Sequence, residues 1–295
     1  MSISPTYCDR IEKIAPHLLM LSDEEIDGLI DSGNVLTDPR FFPKVQDEFG
    51  QFYAPFDWVN EDADIVLIGI TPGRKQAKTA LKSLKASLRQ GLHVDHAARI
   101  AKQAASFEGD MRDIAARLMK RFRLQQLFGL DDSADLFGKA SHRAHYTSLL
   151  RYPILHRRTK KKNGRKVTDW FDYGGGDKAF SVDLLTRSIR EHFEPEIMGF
   201  KKAWLVPFGP TPARALEDMV ARGLIDPDRV LPGINHPSAT QWNRHHCQLN
   251  ISDDHSTCGR NVGCETIRRR SANLEAIVSK LLSRYEVVPV SETGA

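Results

Sequence analysis

Asp64-Ile65-Val66-Leu67-Ile68-Gly69-Ile70-Thr71-Pro72-Gly73-Arg74 is the stretch on which the fold turns. Ile65 to Ile68 are four consecutive apolar residues, three of them β-branched. Such a run fits a strand covered on both faces, as in a parallel sheet. Gly69, Pro72 and Gly73 then end it in a tight loop. Loops at the carboxyl ends of parallel strands are where α/β sheets build their sites. A plain strand-to-helix turn has the same residues, so the loop by itself leaves both readings open. A second segment, His236-Pro237-Ser238, also follows an apolar run and favours the functional one.

Working outward, two more strands are expected at 144–150 (AHYTSLL) and 202–208 (KAWLVPF). A fourth, at 229–234, is weakened by Pro232 and Gly233. Apolar residues three and four apart mark helices within 75–128, at 181–193 and at 264–283. Strands alternating with helices predict a three-layer α/β/α fold with a central, mostly parallel four-stranded sheet. Residues 1–60 are expected as an N-terminal appendage of helix and loop, with a capping box at Ser22 and Glu25. Residues 61–295 form a single domain, interrupted at about 152–180 by a basic and glycine-rich insertion. Within it, 152–166 (YPILHRRTKKKNGRK) carries seven Lys or Arg and no acid. That segment is either a solvated loop or a contact to a nucleic-acid backbone. Lys75, Lys78, Lys82 and Lys85 make a second basic face, either solvated or facing phosphate.

The formal charge of +4 is too small to imply a nucleic-acid partner; only its local distribution does. No apolar run reaches the length of a membrane span, and the first residues lack a signal-peptide pattern, so a cytoplasmic monomer away from membranes is expected. The cysteines Cys8, Cys247, Cys258 and Cys264 are then thiols or metal ligands rather than a disulfide framework.

These pieces carry a resemblance. Gly69-Ile70-Thr71-Pro72-Gly73 resembles the first motif of the uracil-DNA glycosylase superfamily, and His236-Pro237-Ser238 its second. Residues 204–216 (WLVPFGPTPARAL) are similar to the strand, glycine and alanine-rich helix of its iron–sulfur branch. Phe107-Glu108-Gly109 before a helical pattern is similar to that branch's phenylalanine segment. The resemblance implies a monofunctional DNA glycosylase that flips a base out and hydrolyses its N-glycosidic bond. Thr71 would place the attacking water and His236 would donate to the leaving base. Ile70, Phe107 and Ser148 would line the base site. Gly73 and Arg74 would meet phosphate, and Ser238, Gln241, Trp242 and Arg244 would enter the minor groove. Lys160, Lys161 and Lys162 of the insertion would add backbone contacts.

General chemistry agrees with these roles. A stacked base is out of reach, so such an enzyme must extrude it. Exposed amides beside glycine bind anions. A fixed donor aimed at developing charge lowers the barrier. Thr71 stands where relatives often carry Asp or Asn, and threonine is a poor base. Ser148 stands where an asparagine reads uracil, and its smaller side chain admits other bases. Together with the insertion they point to a base other than uracil, such as a bulky hypermodified cytosine of phage DNA, removed in defence against invading DNA. Alternatives are conventional uracil repair, a catalytically silent DNA-binding module, and an unrelated mononucleotide-binding α/β protein. No cofactor is expected. Cys247, Cys258 and Cys264, with nearby histidines, are weak candidates for zinc or an iron–sulfur cluster.

Overall fold

The computed structural model describes residues 5–162, 165–250 and 262–286 of the 295. In chain order the elements are α1 (Pro5–Met20), α2 (Asp23–Ser32), β1 (Lys44–Gln46), β2 (Phe49–Gln51) and β3 (Ile65–Gly69). Then come α3 (Arg74–Arg89), α4 (Val94–Ala105), α5 (Asp110–Arg121), α6 (Leu124–Leu127) and β4 (Ala144–Ser148). They are followed by β5 (Ile154–Lys162), β6 (Arg165–Asp172), α7 (Asp183–Ser188), α8 (Glu194–Gly199) and β7 (Trp204–Pro207). The last are α9 (Pro210–Ala221), α10 (Trp242–Leu249) and α11 (Cys264–Glu286).

The chain is of mixed α/β class. Its strands form a three-stranded parallel sheet, β4-β3-β7, and a four-stranded antiparallel sheet, β1-β2-β5-β6. The single four-stranded parallel sheet expected from the sequence is therefore not what forms. The strand expected at 229–234 contributes one parallel bridge, Leu205 with Val230, and one bond from Leu231 N to Leu205 O. The reason is local. Pro232 has no N–H to give a ladder, and Gly233 turns to a φ of 134°.

Two compact units make up the chain. The first comprises Met1–Glu61, Gly69–Glu108 and Tyr146–Lys201, and the second Asp62–Ile68, Gly109–His145 and Lys202–Ala295. In the first unit, the N-terminal 61 residues share one apolar core with the helices that follow. Ile11, Leu18, Ile26 and Ile30 pack with Ala77, Leu81, Leu84 and Ala101. The capping box at Ser22 and Glu25 is present and starts α2. Three of the four lysines on the basic face of α3 are engaged by acids of α2, while Lys75 stays exposed, 3.7 Å from Glu108. Asp23, Asp27 and Asp31 recur one turn apart on α2 and pair with Lys85, Lys82 and Lys78 of α3.

The basic insertion is a hairpin rather than a loop. β5 and β6 pair without interruption from Leu155↔Asp172 to Lys162↔Arg165. A run of charges hid the strands, because consecutive described positions of the ribbon meet water and show no period-2 burial. The usable sequence signal was Asn163-Gly164, a dipeptide favoured between hairpin strands. The glycine run 174–176 is irregular.

In the second unit, β3 and β7 run parallel from Ile65↔Trp204 to Ile68↔Pro207. Ile114, Leu118, Leu205, Leu216, Leu274 and Val278 are buried in it. Helix α9 begins at Pro210, with Gly209 at the cap position. No described helix is long and apolar enough to cross a membrane.

Candidate functional site

The predicted residues fall in two groups, one in each unit. The first group gathers at the carboxyl end of β3. All five residues of β3 are buried. Gly69 O accepts from Leu149 N at 3.0 Å, and Ile70 O from Leu150 N at 2.9 Å, so the chain past β4 runs alongside the loop. A Cβ added at Gly69 would lie 3.3 Å from Ser148 Oγ and 3.7 Å from Phe107 Cζ. Three positions far apart in sequence thus meet at one glycine. Phe107 adopts a left-handed backbone, φ 50°, just before α5. Its ring meets Tyr146 edge-on, with centroids 6.2 Å apart. Ile70 and Phe107 are buried and Ser148 is half-buried.

The rest of the loop is committed to its own chain. Thr71 Oγ1 donates to Tyr152 O at 3.0 Å and accepts from Ile154 N at 3.2 Å. Its hydroxyl fastens the loop to the start of β5, which its expected role with water did not foresee. Gly73 N donates to Gln76 Oε1 at 3.0 Å, and Gln76 Nε2 donates to Ala105 O at 3.1 Å. Arg74 N donates to Asp172 Oδ1 at 3.2 Å, and its guanidinium donates to Trp170 O. The Gly73 amide is therefore taken by Gln76 of α3, and the Arg74 amide and guanidinium are engaged by the root of the β5–β6 hairpin. Lys160 is exposed, with Nζ 4.1 Å from the centre of the Phe171 ring. The side chains of Lys161 and Lys162 lie outside the described residues.

Behind Thr71 lies a buried ionic cluster that sequence reading did not single out. The Tyr152 phenol donates to Asp57 and accepts from Arg10. Asp57 also faces Arg10 at 3.8 Å and Arg151 at 4.0 Å. Arg151 Nε donates to Glu196 Oε2 at 3.1 Å, and Lys102 Nζ lies 4.0 Å from Glu196 Oε1. Burial raises the Tyr152 and Tyr53 phenols well above their ordinary range, and nearby Asp57 adds to it. Burial pulls Lys102 down to about 8 against the pull of Glu196. Its linked members come from five separate stretches, so no local motif announces it.

The second group surrounds His236. Gly209 ends the strand β7 with a φ of 93°, and a Cβ there would lie 3.3 Å from His236 Cβ. Only glycine takes that conformation readily, and its bare backbone is what seats the histidine. Burial, then the neighbouring His245, lowers the His236 imidazole to about 4. It is therefore neutral at pH 7, with one N–H to donate.

Asn235 fixes the backbone next to it. Its N–H donates to Gln248 Oε1 at 2.7 Å and its Nδ2 to Arg244 O at 3.0 Å, while its Oδ1 accepts from Arg270 Nη2 at 3.1 Å. Gln248 Nε2 in turn donates to Gly233 O at 2.8 Å and Ser271 Oγ at 3.1 Å. Asn235, Gln248 and Arg270 are positioning residues the sequence reading missed. The available signal was polar side chains on the otherwise apolar faces of α10 and α11.

Ser238 N donates to His236 O at 2.9 Å, and the Ser238 hydroxyl meets Thr240 Oγ1 at 2.9 Å. His245, one of the histidines near the cysteines, is fully buried and donates from Nε2 to Ser238 O at 2.8 Å. Trp242 opens α10 with 39% of its surface exposed, and Arg244 is exposed two residues on, 3.4 Å from Gln241 Oε1. Cys247 and Cys264 are thiols in a small apolar cluster with Val262 and Ile267. Cys258 and His255 lie outside the described residues. Among the described residues no three His, Cys, Asp or Glu side chains form a group able to hold a metal.

The Bacillus subtilis protein YoxB, described as uncharacterized, is 32% identical to this chain over 214 residues, which cover 72% of this chain and 78% of YoxB. The chain belongs to the YoxB family. The shared length exceeds what either unit holds, so the kinship with YoxB runs through both. No family model and no solved structure matches the chain.

Proposed function

We propose that this chain is a monofunctional DNA glycosylase of the uracil-DNA glycosylase superfamily, acting on a modified pyrimidine. One observation supports the reading: Phe107 and Ser148, both assigned to base binding, meet at Gly69 of the first motif, at the carboxyl end of β3. A bare glycine edge, an aromatic ring and a small hydroxyl make a surface that a flipped base can stack on and bond to. In the reaction the bond from C1′ to the base nitrogen breaks, and its electron pair leaves on the base. Water adds to C1′ and loses a proton to solvent. The role the resemblance gives His236, neutral and held by the Asn235 network, is to donate an N–H to the carbonyl oxygen where negative charge grows. Thr71 is assigned to holding the loop, so leaving-group stabilisation carries more of the barrier than in an enzyme with a carboxylate base.

The test is release of base from oligonucleotides bearing uracil, hypoxanthine, 5-hydroxymethylcytosine or glucosylated cytosine, read as alkali-labile strand breaks. Breaks at a modified cytosine in preference to uracil support the reading. Equal excision of plain uracil removes the modified-base part and leaves conventional repair. The engaged Thr71 hydroxyl and loop amides favour a second reading, a silent DNA-binding module. Binding without breaks on any substrate would establish it.

A further inference from the structure

The β5–β6 hairpin has a shape that backbone contact alone does not require. Resting on the reading of the chain as a DNA-acting protein, we propose that this ribbon enters the major groove of duplex DNA and sets its basic side chains on the flanking phosphates.

Shape comes first. Eight consecutive cross-strand pairs make a continuous two-stranded antiparallel ribbon, about 25 Å long at the usual rise per residue. The major groove of B-form DNA admits a ribbon of this kind, being about 12 Å wide. A sheet face normally packs on something. Here Thr159, Lys160, Lys166, Val167, Thr168 and Asp169 are all exposed, on both faces.

Charge comes second. Residues 157–169 hold seven Lys or Arg against one acid, Asp169. Two of the cations are held in place over one ring: Lys160 Nζ lies 4.1 Å and Arg158 Cζ 5.5 Å from the centre of Phe171. Between the basic positions sit groups suited to base edges. Thr159 and Thr168 join hydroxyls across the ribbon at 2.7 Å, and Val167 is 39% exposed. Threonine hydroxyls bond to base edges of either kind, and an apolar side chain meets the thymine methyl.

Anchoring comes third. An isolated two-stranded hairpin is marginal in water, and this one is fixed at its root. His156 stacks on Phe49 of β2 at 4.5 Å. Trp170 fills the space beside Gly33, where a Cβ would come within 2.8 Å of its ring. Asp172 and Trp170 O hold Arg74. The ribbon root and the glycine loop are thus one piece of structure, so a ribbon seated in the groove fixes where that loop stands on the DNA.

Dimethyl sulfate footprinting of the full-length protein on a short duplex tests this directly. The reagent methylates guanine N7 in the major groove and adenine N3 in the minor groove. Wild type protects N7. Arg157→Gln/Arg158→Gln/Lys160→Gln loses that protection, and its slope of log K against log salt falls by about 2.7, for three phosphate contacts. Lys166→Gln, a single exposed change, lowers the slope by about 0.9 and keeps the test open if the triple variant folds poorly. An RNA duplex, whose major groove is deep and narrow, binds weakly and responds little to the substitutions. Bound wild type with N7 unprotected, or equal losses on DNA and RNA, overturns the proposal. Base release is scored on the same samples. Release with N7 unprotected sinks the ribbon proposal and keeps the glycosylase; N7 protection with no release does the reverse.

Discussion

Replacing Thr71 with valine separates a structural hydroxyl from a catalytic one. Valine keeps the shape and removes the oxygen. Two bonds go with it: the one donated to Tyr152 O at 3.0 Å and the one accepted from Ile154 N at 3.2 Å. The site is half-buried, so water replaces the lost partners only in part. Each such bond contributes about 0.5–1.5 kcal/mol net, and the pair about 2 kcal/mol. For a chain of this size that lowers the thermal midpoint by about 4 °C. Thr71→Ser keeps both bonds and recovers most of the loss. Thermal unfolding by circular dichroism gives the first readout, and single-turnover base release at a temperature where both variants are folded gives the second. The structural assignment expects a clear drop in midpoint and a modest change in turnover. An unchanged midpoint with base release lost by a factor of 100 or more in Thr71→Val, restored in Thr71→Ser, would refute it, a loss of about 2.7 kcal/mol in the barrier.

Three further outcomes are expected. His236 is held neutral by burial at about 4 against an ordinary 6.5, so the unfolded chain binds its proton first. Stability is therefore full above pH 6.5 and falls towards pH 4, by up to about 3 kcal/mol from this residue; denaturation of His236→Gln against wild type across that range isolates it, and parallel curves would disprove the assignment. Glu196→Leu leaves Arg151 and Lys102 buried without their shared carboxylate, and urea unfolding is expected to show a loss of about 3–5 kcal/mol. Gly209→Ala forces a side chain into a φ of 93° and within 3.3 Å of His236 Cβ. It is expected to cost about 1–3 kcal/mol in stability and to slow base release more than binding, measured as kcat against Kd.

Much of the architecture could be read locally. Ile65–Gly69 is apolar throughout because both faces are covered, and no other periodicity fits it. Ser22 and Glu25 announce α2 through a cap that closes within four residues. The parallel strands at 144 and 204 follow from the same logic. Expectation failed where one residue's conformation depended on a distant partner. The lysines of α3 read as either solvated or phosphate-facing, and the acids of α2 came opposite three of them.

Sequence by itself determined that glycine must follow β3 and β7, that Phe107 precedes a helix, and that positive charge is concentrated between 157 and 166. These are properties of one segment, set by backbone freedom, periodicity and composition. Tertiary structure alone decided that Ser148 and Phe107 meet at Gly69, and that Thr71 is bound to Tyr152 and Ile154. It alone decided that Asn235, Gln248 and Arg270 hold the histidine segment, and that the basic run is a ribbon with its root on the glycine loop. The physical reason is that a hydrogen-bonding side chain takes whichever partner the packed chain brings within about 3 Å, and sequence order carries no record of that distance.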